Sequence, residues 1–141
     1  MEIQTEKGLK EVLHFLENGD PVQAQLLLGK LFEHEIDCKE LTYANRCCTF
    51  WIETSGRLKN ISDSYEKGQR LLSDWKSFQK FLSREKYIYE PALYSVQKGY
   101  FTVALEYYTK EMDEKDPFHR AEIYRNAGIC YKKLGNYENA R

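Results

Sequence analysis

Apolar residues recur at three- and four-residue spacing along almost the whole chain, interrupted by only three prolines. That period is the helical one. Leu9, Val12, Leu13 and Leu16 mark a first helix, and Glu17-Asn18-Gly19-Asp20 reads as the turn that ends it. Pro21 suits the first turn of a second helix, where its missing N–H costs nothing, and Leu26, Leu27, Leu28, Leu31 and Phe32 give that helix a broad apolar face. The spacing predicts a third helix over 40–54 closed by Ser55-Gly56, and a longer fourth over 61–82 capped by Asn60 or Ser62. Further helices follow near 87–97, 102–112 and 118–134. The run IYEPALYSV has the β-branched and aromatic content of a strand, but a lone strand has nothing to pair with in a helical chain. It is read as helix, with a start or kink at Pro91. The result is an all-α chain of about seven helices.

At 141 residues with 42% hydrophobic content, one domain can bury its own core without a disulfide or metal staple. The formal charge is −1; residues 1–40 carry nine acids and four bases, the remainder thirteen acids and seventeen bases. Charge this small and dispersed is not a nucleic-acid footprint. No apolar run approaches the ~20 residues that span a bilayer. The opening MEIQTEKGLKEV lacks the basic and then apolar order of a secretory signal, so with Met1 as the native start the expected location is cytoplasmic. Cys38, Cys47, Cys48 and Cys130 include no CxxC pair, and reduced thiols, small and buried on helices, are the expected state.

GYFTVA (99–104) laid over GNYENA (135–140) aligns Gly, an aromatic and Ala, and GDPVQA (19–24) repeats the Gly and the Ala at the same interval. With these motifs the chain resembles the tetratricopeptide repeat family, whose unit of about 34 residues pairs two antiparallel helices. The resemblance is closest over 85–141. The last unit carries Ala121, Tyr124, Ala127, Gly128, Tyr131, Gly135, Tyr137 and Ala140 at the family's aromatic, small and turn positions. The preceding unit carries Ala92, Gly99, Phe101, Ala104, Tyr108 and Pro117, with Pro91 where a large aliphatic is usual. A first unit matches through Phe15, Gly19, Ala24 and Leu28, and a divergent second through Cys48, Trp51 and Gly56. The resemblance implies a single domain over 1–141, a right-handed α-solenoid with units at about 5–38, 41–82, 85–118 and an incomplete 121–141. It also implies that the chain is an N-terminal fragment of a longer repeat protein, its exposed C-terminal end open to self-association.

In the resembling family the first helix of each pair lines a concave groove that holds a peptide or helix of a partner protein. Carried over residue by residue, that wall is Asn45, Arg46 and Thr49, then Lys86, Tyr89 and Leu93, then Arg125, Asn126, Ile129 and Lys132. The family's grip on a C-terminal carboxylate is incomplete here: Asn126 occupies one of its positions, but Tyr89 and Leu93 stand where a Lys and an Asn are required. The implied function is a protein–protein interaction scaffold or adaptor. The alternative is a structural subunit of a larger assembly, packed through the ends and convex face of the stack.

No catalytic arrangement emerges. His14, His34 and His119 form no HExxH and sit beside no paired nucleophile. His34 and Cys38 have i, i+4 spacing but lack a second ligand pair, and no Gly-rich loop follows a strand. The expected chain is not an enzyme and uses no cofactor or metal.

Overall fold

The computed structural model describes the backbone of residues 2–140 and the side chains of residues 2–135. Tyr137 and Ala140, two of the positions that carry the repeat resemblance, have side chains outside the described residues. Six helices follow one another: α1 (Ile3–Glu17), α2 (Pro21–Phe32), α3 (Lys39–Leu58), α4 (Ser64–Leu82), α5 (Glu90–Thr109) and α6 (Pro117–Ala140). There is no strand among the described residues. The all-α expectation holds, but the count is six rather than about seven.

The first turn forms as its residues dictate. Gly19 has φ 78°, a conformation that glycine adopts without steric penalty. Asp20 then caps α2 by accepting from the Gln23 N–H at 3.1 Å, and Pro21 occupies the first turn. The α5 helix begins at Glu90, with Pro91 in its first turn. The cap of α4 is Asp63, whose side chain accepts from the Glu66 N–H at 3.1 Å, rather than Asn60 or Ser62.

The missing helix was lost at Gly99. The two helices expected over 87–97 and 102–112 are one, α5, and no turn forms between them. Gly19 is the only described residue with positive φ, so Gly99 supplies space rather than a left-handed turn. A Cβ there would lie 2.0 Å from the Leu16 carbonyl oxygen and 2.8 Å from the Trp51 ring. The end of α1 therefore crosses directly over the α5 backbone. In the same way α3 runs through Ser55-Gly56 to Leu58, and α6 runs through Gly135.

This continuous α5 is the centre of the molecule. It packs against α1, α3, α4 and α6, while α1–α2, α2–α3 and α3–α4 meet as chain neighbours. Its buried residues Ala92, Val96, Tyr100, Phe101, Ala104 and Tyr108 spread over more than one stripe, as a helix covered on several sides requires. Around Tyr100 the rings of Trp51, Trp75, Phe101 and Phe50 lie with centroids 5.7, 5.0, 5.6 and 5.4 Å away. The buried Tyr100 hydroxyl donates to the Leu71 carbonyl, which satisfies its polar tip.

Among the described residues two buried side-chain polar atoms have no hydrogen-bond partner: the Tyr43 hydroxyl and the Trp75 Nε1. Burial pushes the Tyr43 phenol above its ordinary pKa, so the group stays protonated and unpaired. An unpaired buried hydroxyl is destabilising. Tyr43→Phe is therefore expected to leave stability unchanged or to raise it by about 1 kcal/mol in a urea titration. A loss of that size would show that the hydroxyl has a partner.

Candidate functional site: the crevice between α3 and α4

Helices α3 and α4 touch chiefly through aromatic rings. Phe50 on α3 stacks on Phe78 of α4 with centroids 4.0 Å apart and planes within 4°. Around this pair the two helices leave a crevice of about 370 Å³. Three of the residues assigned to the groove from sequence, Asn45, Arg46 and Thr49, line it, because their i, i+1 and i+4 spacing puts them on the α3 face beside Phe50. Phe81 lies on the opposite wall with 49% of its surface exposed.

The polar groups at this rim are held from outside. Gln25 on α2 donates its amide to the Asn45 side-chain oxygen at 3.1 Å and to the Thr49 hydroxyl at 3.0 Å. That bond uses the Asn45 oxygen, so its amide NH₂ is the group presented to an incoming carbonyl. Arg46 is paired with Glu85. Arg57 donates its Nε and a terminal nitrogen to one oxygen of Asp74, at 3.3 and 3.2 Å, and Arg70 donates to the same oxygen at 3.3 Å. Exposed pairs of this kind contribute about 0–1 kcal/mol each, so a ligand can rearrange them at little cost.

The other groove residues assigned from sequence lie elsewhere. Lys86 is exposed ahead of α5. Tyr89 and Leu93 are half-buried and pack against the core, and burial raises the Tyr89 phenol pKa. Asn126 is 6% exposed and donates to the Gln69 side-chain oxygen at 2.8 Å, where the Tyr108 hydroxyl also donates at 2.5 Å. With Ile129, Asn126 borders a second crevice, of about 300 Å³, between α4 and α6. Arg125 and Lys132 are exposed on α6. Neither crevice holds residues of all three sets, because α4 borders both and contributes different side chains to each. The aromatic floor and Asp74 were not assigned to a site from sequence. Arg70 and Asp74 do stand at i, i+4, a spacing that signals an ion pair.

The four cysteines are free and buried. Burial pushes the Cys48 and Cys130 thiols up to about 12 and the Cys47 thiol still higher, so at neutral pH these three are poor nucleophiles and poor metal ligands. Among the described residues no cluster of three or more His, Cys, Asp or Glu is placed to hold a metal ion, and no helix is long and apolar enough to cross a membrane. The chain matches no protein-family model, no curated protein and no solved structure.

Proposed function

We propose that this chain is a protein–protein interaction module, an adaptor that seats an extended segment of another protein in the α3–α4 crevice. The observation that carries the reading is Phe81, half-exposed beside the stacked Phe50–Phe78 pair and ringed by Asn45, Thr49 and the rim ion pairs. An apolar cleft with a few convergent polar groups is the usual form of a recognition site. An apolar side chain of the partner packs on Phe81 and Phe78, while Asn45 and Thr49 hydrogen-bond its backbone. The finer architecture that accompanies this reading is a right-handed stack of antiparallel helix pairs, of which α1–α2 and α3–α4 are the first two. The tetratricopeptide resemblance supports it, whereas the continuous α5 and its seat against α1 depart from strictly nearest-neighbour stacking.

A library of random peptides displayed on phage and selected on this protein tests the reading. Enriched peptides are expected to share an apolar residue, and Phe81→Ser to weaken their binding about tenfold, with helicity and melting unchanged. Selected peptides that bind Phe81→Ser and Asn45→Ala/Thr49→Ala as tightly as the parent would remove the crevice from consideration.

A further inference from the structure

The crevice of about 300 Å³ between α4 and α6 differs in kind from the one between α3 and α4. Lys76 of α4 and Lys133 of α6 both line it, and no residue in its lining is acidic. The α3–α4 crevice, by contrast, sets Glu53 and Asp74 among its cations. Neither Lys76 nor Lys133 takes part in an ion pair among the described residues. The acid nearest along this row of α6 is Glu122, one turn before Asn126; it accepts from the Tyr65 hydroxyl at 2.8 Å and lies outside the lining.

The neutral groups add donors to these two cations. The Gln69 side-chain oxygen is used twice, by the Asn126 amide at 2.8 Å and by the Tyr108 hydroxyl at 2.5 Å, so its NH₂ is the group that Gln69 has left to offer. Trp75 also lines the crevice; it is 2% exposed, and its Nε1–H is the buried donor without an acceptor. Such a group is destabilising until an acceptor reaches it. Beside the donors, Phe101, Leu72 and Ile129 supply apolar surface.

Two unpaired ammonium groups, a spare amide NH₂ and an orphaned indole N–H are complementary to an oxyanion, and the apolar wall beside them to a hydrocarbon body. The volume is at the small end of the range for small-molecule sites. We propose that the α4–α6 crevice binds a small organic acid, whose carboxylate lies between Lys76 and Lys133 and accepts from the Trp75 Nε1–H, and whose apolar body packs on Phe101, Leu72 and Ile129. This site is separate from the α3–α4 crevice and does not depend on what that crevice binds.

The chain has two tryptophans, Trp51 and Trp75, and therefore two indole N–H resonances, which Trp75→Phe tells apart. The probes are a panel of aryl and alkyl carboxylic acids, phenylbutyrate and hexanoate among them, each paired with the amine of the same body. Acids of the panel are expected to move the Trp75 resonance downfield and leave that of Trp51 in place, and the matched amines to move neither. In calorimetric titration of the tightest acid, Lys76→Glu/Lys133→Glu and Trp75→Phe are each expected to weaken binding at least about tenfold, with circular dichroism unchanged. Lys76 is exposed and Lys133 half-exposed, so the charge reversal leaves the core intact. A panel in which no acid moves the Trp75 resonance, amines that bind as tightly as their acids, or an affinity that survives either substitution would overturn the proposal.

Discussion

Gly99→Ala is expected to lower the free energy of unfolding by about 3 kcal/mol. The sign matters more than the size. In an ordinary helix interior the same change stabilises, by up to about 1 kcal/mol, because alanine is the better helix former. Here the new methyl would sit 2.0 Å from the Leu16 carbonyl oxygen and 3.2 Å from that of Glu17. These are backbone atoms, so no rotamer change relieves the clash, and the end of α1 must lift from α5. Gly56→Ala is the matched control: Gly56 also lies inside a helix, and nothing stands within 4 Å of its would-be Cβ. Paired urea titrations should therefore move in opposite directions. Stabilisation by both substitutions would mean that α1 does not cross α5 at this point.

The other large effect is expected at Trp75, which is 2% exposed and contacts Phe50, Phe78, Tyr100 and Phe101. Trp75→Ala should cost about 3–5 kcal/mol, from lost burial and the cavity left behind. In a domain whose whole stability is about 5–15 kcal/mol, that is enough to populate the unfolded state. Trp75→Phe separates two contributions. It keeps most of the ring contacts and deletes an indole N–H that has no acceptor, so its cost should be only about 1 kcal/mol, the lost volume being partly offset by the removed unpaired donor. Calorimetric melting of both variants measures the difference. Equal losses would indicate that the N–H is paired.

The helical period was readable throughout because every helix has an apolar face, and the α1–α2 turn was readable because Gly19, Asp20 and Pro21 each have one local use there. Gly99 was not readable, since a glycine followed by aromatics serves a turn and a helix crossing equally well. Only the chain at Leu16, far away in sequence, decides between them. The site shows the same division. Asn45, Arg46 and Thr49 share a face by spacing alone, whereas the Phe81 wall depends on how α4 packs beside α3, and Asn126 became a buried bridge to Gln69 through a contact between distant helices. Local chemistry is written locally; which surface a helix presents is settled by its neighbours.

The seat of α1 against α5 also bears on how the chain assembles. Of the six helices α1 is made before the others, and it finds its neighbour α5 only after three other helices have been synthesised between them. Closing so long a loop is slow compared with forming the local α1–α2 hairpin. Until then Leu9, Val12 and Leu16 have α2 alone to cover them, and the nascent α1–α2 hairpin keeps an apolar side open to solvent or chaperone while α3, α4 and α5 emerge.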